Sequence, residues 1–327
     1  KDLIKSIDLY KKIITRSDGS PLIGKAYRNL GIIYLFHLKN KDEKAAYGFF
    51  EKGAFLNDPY CLFRIALAYR DGKCGFKQDI HKSLELFNKI EKLDYDSNKQ
   101  IIAYGYLYRC IGETYSSSDY GIEDWETALK YYEKGASMND SFCLLIIGST
   151  FLDGEFGYKK NPEKAIAFFK KALKAGEDDK AVLSTIYANL GDAYLYDINE
   201  PKIALKYYEK GASLDNFHSL CEIAKTYGEG VGHIRNLAKS LEFYKKAEEY
   251  LLLYKDNLLH CENYDVLTFY SKFGDFYRDS LNDTISAYKC YEKGASLNDP
   301  ACLLRLAIAY LSGGYGYEYS FEKGNSI

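Results

Sequence analysis

YEKGASLND, Tyr291 to Asp299, repeats a phrase already used three times: FEKGAFLND (Phe50 to Asp58), YEKGASMND (Tyr132 to Asp140) and YEKGASLDN (Tyr208 to Asn216). Its glycines, Gly53, Gly135, Gly211 and Gly294, lie 76 to 83 residues apart. A second phrase, YxxΦGxxY with Φ apolar, keeps the same beat as Tyr27 to Tyr34, Tyr108 to Tyr115, Tyr187 to Tyr194 and Tyr270 to Tyr277, around Gly31, Gly112, Gly191 and Gly274. A fixed period that fills the chain marks an array of like units rather than one closed core. The expectation is a single repeat domain over 1–327, of about four 80-residue superperiods.

Each superperiod divides again. After every EKGA phrase comes a helix-like run that ends in an aromatic and a glycine-containing loop, from Leu62, Leu144, Leu220 and Leu303. Asp79, Asn161, Asn236 and Ser320 close these loops, all of them N-cap residue types. Ser83, Ala165 and Ser240 follow at a position where a small residue permits close helix contact. Helical periodicity without strand-like alternation predicts two helix pairs of about 40 residues per superperiod, roughly 16 helices in all. The fold class expected is all-α, a right-handed superhelical α/α solenoid of about eight helix hairpins.

Composition agrees. Charged residues at 28% and hydrophobic ones at 47% belong to a folded chain, and five prolines in 327 residues leave long helices uninterrupted. The net charge of −2 supplies no basic field for a phosphate backbone, so nucleic acid is not an expected partner. No apolar run reaches the ~18 residues of a membrane span, so membrane insertion by this segment is not expected.

The glycine-loop units resemble Sel-one-like repeats; Gly230, Gly232, Asn236, Lys239 and Ser240 match that loop spacing, while the other three loops carry one extra residue. The YxxΦGxxY units, followed by Ala46, Ala128, Ala204 or Ala287 and then Phe50, Tyr132, Tyr208 or Tyr291, are similar to tetratricopeptide repeats. The resemblance covers essentially the whole chain. It implies an interaction scaffold or adaptor without enzymatic activity and without a cofactor, its partner a protein or an extended peptide held in a concave groove. Some cysteine-rich relatives have been proposed to bind or cleave β-lactams, and a hydrolase-like activity of that kind is the alternative.

Tyrosines seven residues apart share one helix face. A ladder of rings could stack bases or sugars; the family pattern instead assigns these positions to packing, with each ring buried and its hydroxyl on a backbone carbonyl. Gly31 and its counterparts then let helices cross closely. Asn57, Asn139, Asp215 and Asn298 are residue types that tolerate the left-handed turn ending a helix. GEGVG at Gly228 to Gly232 looks like a phosphate cradle, yet no strand precedes it and no Lys-Ser/Thr pair follows, so a tight interhelix turn is expected.

Cys61, Cys143 and Cys302 share one repeat position, where Ser219 stands fourth. The secreted branch of the resembled family pairs this cysteine with one seven residues earlier, where Ala54, Ala136 and Ala295 stand here, so those disulfides cannot form. Unpaired thiols packed as small apolar groups fit a reducing, cytoplasmic compartment. His37, His81, His218, His233 and His260 do not recur in register and give no metal-site spacing. His260 and Cys261, adjacent on a helix, would diverge by about 100° rather than act as base and nucleophile. The pairs Asp178/Asp179 and Glu248/Glu249 read as solvated carboxylates.

By offset from the packing positions, groove residues should be Arg28, Asn29, Arg109, Glu113, Asn189, Asp192, Lys272, Asp275 and Arg278 from the YxxΦGxxY units, with Arg64, Arg70, Lys225 and Arg305 from the glycine-loop units. Such a face suits a polar segment with uneven charge. KDLIKSIDLYKKI aligns with Gln78 to Ile90, and YEYSFEKG stops at a helix cap, so the first and last units read as incomplete: a longer array, sealed ends, or self-association through them.

Overall fold

The structure is a computed structural model that describes residues 2–15, 22–93, 103–176, 179–232, 235–258 and 264–313. Ser320, His233, His260, Cys261 and Asp178 lie outside the described residues. Among the described residues the regular structure is all helical, with 16 α-helices packed in consecutive pairs. They fall into two compact units, Lys1–Lys160 and Asn161–Ile327. The first contains α1 (Leu3–Ile14), α2 (Leu22–Ile32), α3 (Glu43–Phe55), α4 (Pro59–Asp71), α5 (Ile80–Glu91), α6 (Tyr104–Ser116), α7 (Trp125–Ser137) and α8 (Ser141–Asp153). The second contains α9 (Pro162–Ala175), α10 (Lys180–Asp192), α11 (Pro201–Ala212), α12 (Phe217–Glu229), α13 (Leu237–Leu258), α14 (Tyr264–Asp275), α15 (Thr284–Ser296) and α16 (Pro300–Ser312). In the first unit the hairpins are α2/α3, α4/α5 and α6/α7; in the second they are α10/α11, α12/α13 and α14/α15.

One hydrogen bond closes every one of these hairpins. The carbonyl of a tyrosine at the end of the first helix, or in the turn that prolongs it, accepts the N–H of the residue that starts the second: Asp42 on Tyr34 (3.2 Å), Asp79 on Tyr69 (2.9 Å), Asp124 on Tyr115 (2.7 Å), Glu200 on Tyr194 (2.7 Å), Asn236 on Tyr227 (2.9 Å) and Asp283 on Tyr277 (2.9 Å). Five of these six residues then turn their side chains onto the second helix as N-caps, satisfying a backbone donor that the helix end leaves free. Asn161 caps α9 in the same way, through the Lys164 N–H at 2.8 Å. Three first helices, α2, α10 and α14, are prolonged by a π-helical turn that carries the chain to this bond: Ile33–His37, Ala193–Asp197 and Phe276–Ser280.

The EKGASLND phrase does two jobs in consecutive residues. Asn57, Asn139, Asp215 and Asn298 take φ of 59° to 61°, the left-handed conformation expected of them, and end the second helix. The next residue caps the following first helix: Asp58 accepts from the Cys61 N–H (3.1 Å), Asp140 from Cys143 (2.9 Å), Asn216 from Ser219 (2.9 Å) and Asp299 from Ala301 (2.8 Å). The sequence reading gave the phrase only the first of these roles.

Glycine provides the close approaches. A methyl group on Gly31, Gly112, Gly191 or Gly274 would overlap the ring of Phe50, Tyr132, Tyr208 or Tyr291, each of which comes from the second helix and is almost wholly buried. A methyl group on Gly53, Gly135 or Gly294 would overlap the sulfur of Cys61, Cys143 or Cys302, and on Gly211 the hydroxyl oxygen of Ser219. The small residue expected at that position is thus a key that fits the glycine of the preceding helix. Ser83, Ala165 and Ser240 are fully buried, as their helix contacts require.

The tyrosine faces depart from expectation. Of the eight tyrosines in YxxΦGxxY, Tyr270 is buried and the rest are half-buried. Their rings lie along the outer edge of the hairpin against the second helix, as Tyr115 on Tyr131 (centroids 5.9 Å apart, planes at 6°) and Tyr194 on Tyr207 (5.5 Å, 8°). The lysine of each EKGA phrase covers that edge: Lys52 over Tyr27, Lys134 over Tyr108 and Tyr131, Lys210 over Tyr187 and Tyr207, and Lys293 over Tyr270, at 4.5 to 6.0 Å. What caps the hairpin is the tyrosine's carbonyl accepting, rather than its hydroxyl donating to a carbonyl.

These slots set unequal costs for the same chemical change. Gly191→Ala should destabilise the chain by about 1–3 kcal/mol, because a sealed ring must move. Gly48→Ala, inside α3 with nothing within 4 Å of the added methyl, should stabilise it by about 0.5–1 kcal/mol. Urea denaturation of both variants checks this; equal and opposite signs reversed, or equal costs, would contradict the slot.

Candidate functional site: the polar face of the first helices

The thirteen residues expected on the groove all sit on first helices or on the π-turns that prolong them. In the first unit, Arg28 on α2 reaches Asp58 at 3.3 Å, so it steadies the cap of α4; Asn29 stands half-buried beside it. Arg70, Arg109 and Glu113 come together across α4 and α6. The Arg109 Nε lies 2.9 Å from one Glu113 oxygen, and Arg70 Nη1 lies 3.5 Å from the other while its Nε holds Asp71 at 2.7 Å. Arg109 also lies 4.1 Å from the Phe142 ring centroid. Arg64 is not joined to them; it stands among aromatic rings with a hydrogen bond from Nη2 to Tyr47 Oη at 3.0 Å.

In the second unit, Asp192 on α10 accepts from Tyr208 Oη (2.7 Å) and pairs with His218 Nε2 (2.8 Å), while Asn189 lies one turn earlier on the same helix. Lys225 donates to Tyr196 Oη at 3.0 Å, and the same hydroxyl donates to Glu222. Asp275 is held by both arms of Arg305 (3.0 and 2.6 Å), by Tyr291 Oη (2.8 Å) and by Arg278 (3.1 Å). Lys225, Lys272 and Asp275 line one groove of about 540 Å³ between α12 and α14, together with Arg235, Tyr244 and Asp279.

A carboxylate follows the slot glycine in three of the four superperiods: Glu113, Asp192 and Asp275. Glu113 and Asp275 bind arginines and Asp192 pairs with His218, and two of the three accept the hydroxyl of the tyrosine seated in the glycine slot. Offsets found these carboxylates but missed His218, Glu222 and Tyr196, which the packing of one helix against another brings into reach, and Asp71, which neighbours Arg70 on the same helix. The recurrence of Tyr208 and Tyr291 was visible, and their hydroxyls were the signal that their slots open toward the acidic position.

The thiols are built differently. Cys61, Cys74, Cys110, Cys143, Cys221, Cys290 and Cys302 take part in no disulfide bond. Burial first, and a nearby glutamate second, push the Cys110 and Cys290 thiols up to about 12, and burial raises Cys61, Cys143 and Cys302 as well, so these sulfurs are protonated and weakly nucleophilic near neutrality. Among the described residues no three His, Cys, Asp or Glu side chains converge as a metal site would need. No described helix is long and apolar enough to cross a membrane.

Stacked hairpins, with ion-paired side chains spread over their first helices, define an α-solenoid of the kind that presents a surface rather than a pocket. The chain belongs to the Sel1 repeat family: the Sel1 repeat profile matches residues 24–58, 59–95, 118–140, 143–177, 187–216, 218–249 and 274–299, covering units of both kinds. Proteins with these repeats are generally protein-interaction scaffolds, and the fold is typically non-enzymatic. Among solved structures the chain is similar to c5321, a protective antigen of uropathogenic Escherichia coli with an SLR fold (TM-score 0.74, 21% identity, 97% of this chain and 62% of that one). It is also similar to a Sel1 repeat protein from Oxalobacter formigenes (TM-score 0.53, 23% identity, 73% and 92%). Among curated proteins it is 23% identical over 197 residues to chitin synthase regulatory factor 3 of Schizosaccharomyces pombe, covering 58% of this chain and 20% of that protein. The chain thus spans a fifth of that relative's length.

Thiol accessibility follows from the packing. Brief alkylation of the native chain, mapped by mass spectrometry, should modify half-exposed Cys74 and spare Cys61, Cys143 and Cys302; modification of those three at the same rate would mean the helix junctions are open. The Asp275 cluster makes a second expectation. A double-mutant cycle on Asp275→Asn and Arg305→Met should give a coupling of about 1 kcal/mol in denaturation, and a value of zero would mean the bidentate pair adds nothing beyond its surroundings.

Proposed function

We propose that the chain is a non-enzymatic adaptor that holds an extended, polar segment of a partner protein along the first-helix face of its units. What supports this reading is that the first helices, besides packing, carry Arg28, Asn29, Arg64, Arg70, Arg109, Glu113, Asn189, Asp192, Lys225, Lys272, Asp275, Arg278 and Arg305 at half-buried or exposed positions on them or on their π-turns, several joined in ion pairs. Charge of both signs arranged in this way gives register and partner choice more than raw affinity.

The likeness to a chitin synthase regulatory factor supports a regulatory adaptor, in which the partner would itself be a protein. Free thiols favour a reducing compartment for this work.

Affinity capture with the intact chain, from the organism that encodes it, tests the face. Lys225→Glu together with Lys272→Glu should reduce recovery of the partner about tenfold, the loss expected of a few misplaced charges at an interface. Lys246→Glu, on the second helix α13, should leave recovery unchanged. Retention of the partner by the first pair and its loss with Lys246→Glu would refute the assignment, as would turnover of a small substrate by the purified chain.

A further inference from the structure

One position of the repeat compares directly across all four superperiods. Eleven residues after the EKGA glycine stand Arg64, Ile146, Glu222 and Arg305. Arg305 is neutralised by Asp275, which follows the slot glycine Gly274, and Glu222 has Lys225 at 4.0 Å. In the first superperiod the residue after the slot glycine is Ile32, where the other three have Glu113, Asp192 and Asp275. The slot itself holds Phe50 in place of tyrosine, so its hydroxyl is missing too. Arg64 is therefore the charged member of this set that the repeat leaves without its counter-charge.

The structure bears this out at atomic level. Among the described residues no carboxylate comes within ion-pair distance of Arg64, its Nε is buried without an acceptor, and its side-chain hydrogen bonds run to tyrosines, Nη2 donating to Tyr47 Oη with Tyr60 as a further partner. The guanidinium lies 5.6 to 5.7 Å from the ring centroids of Phe36, Tyr47 and Phe50. Phe36 is 50% exposed, a large apolar surface left open beside a cation. Burial of a charge without a partner is costly, and a planar carboxylate is the acceptor a guanidinium fork fits best.

We propose that Arg64 anchors an aspartate or glutamate side chain of the partner segment, which supplies the carboxylate that Asp275 supplies to Arg305, while an apolar residue next to it packs on Phe36. This deepens the adaptor reading and rests on it.

The probe is a set of random peptides displayed on phage, selected on the full chain and then synthesised with amidated C-termini so that only side-chain carboxylates remain. Selected peptides should carry Asp or Glu beside an apolar residue. Replacing that residue by Asn or Gln should weaken binding about tenfold to the natural chain and leave binding to Arg64→Gln unchanged, the size expected for one charge-assisted hydrogen-bonded pair. Ile32→Asp places a competing carboxylate in the chain itself and should also weaken binding about tenfold, whereas Ile32→Asn, equally disruptive to packing, should stay within about threefold. Circular dichroism and thermal melts confirm that each variant is folded. Peptides without acidic preference, or equal effects of Ile32→Asp and Ile32→Asn, would overturn the inference. Peptides that bind the natural chain but depend on Lys225 and Lys272 instead would overturn it and leave the adaptor reading standing; failure to select any peptide would overturn both.

Discussion

Aromatic rings seated in glycine slots are the constraint on which the rest of the structure depends. Phe50, Tyr132, Tyr208 and Tyr291 each cross from a second helix onto the bare backbone of Gly31, Gly112, Gly191 or Gly274, and so set how closely the two helices of a hairpin approach. Gly53 and its counterparts then receive Cys61, Cys143, Ser219 or Cys302 and set the approach of the next hairpin. A mid-helix glycine costs about 1 kcal/mol relative to alanine in intrinsic propensity. Burying a whole aromatic side chain offsets that cost, at roughly 25 cal/mol per Å² of apolar surface.

Around these contacts the core also takes in first-helix side chains such as Leu62, Ile65 and Leu107, and the same helices keep polar positions outside it. Polar residues can vary there from one superperiod to the next without disturbing the slots. The acidic position after the slot glycine shows the consequence: Glu113 is shared by two arginines, Asp192 by a histidine and a tyrosine, and Asp275 by two arginines and a tyrosine. In the first superperiod the acid has become Ile32 and the arginine opposite, Arg64, remains. Variation on a fixed frame is how a repeat array acquires a distinct surface along its length.

The buried thiols belong to the frame and not to the surface. Sulfur is small and apolar enough to fill the space over a glycine, and serine does the same at Ser219. Cys61, Cys143 and Cys302 form no disulfide and fill the space over Gly53, Gly135 and Gly294, which makes packing the role these sulfurs play.

Period, helix pairing and caps were legible in the amino-acid sequence because each is a local matter: a spacing, a capping residue type, an Asn that accepts positive φ. The small residue at Cys61 and its counterparts was legible for the same reason, since recurrence in register exposes a steric demand. The half-burial of the YxxΦGxxY tyrosines was not, because helical spacing says which residues share a face and not whether the neighbouring helix covers that face or only its edge. The partners of the charged residues were equally hidden. His218, Glu222 and Arg305 meet Asp192, Tyr196 and Asp275 through the packing of one helix on the next, and the distance between two side chains on different helices is fixed by the slots that bring those helices together, a quantity no spacing along the chain contains.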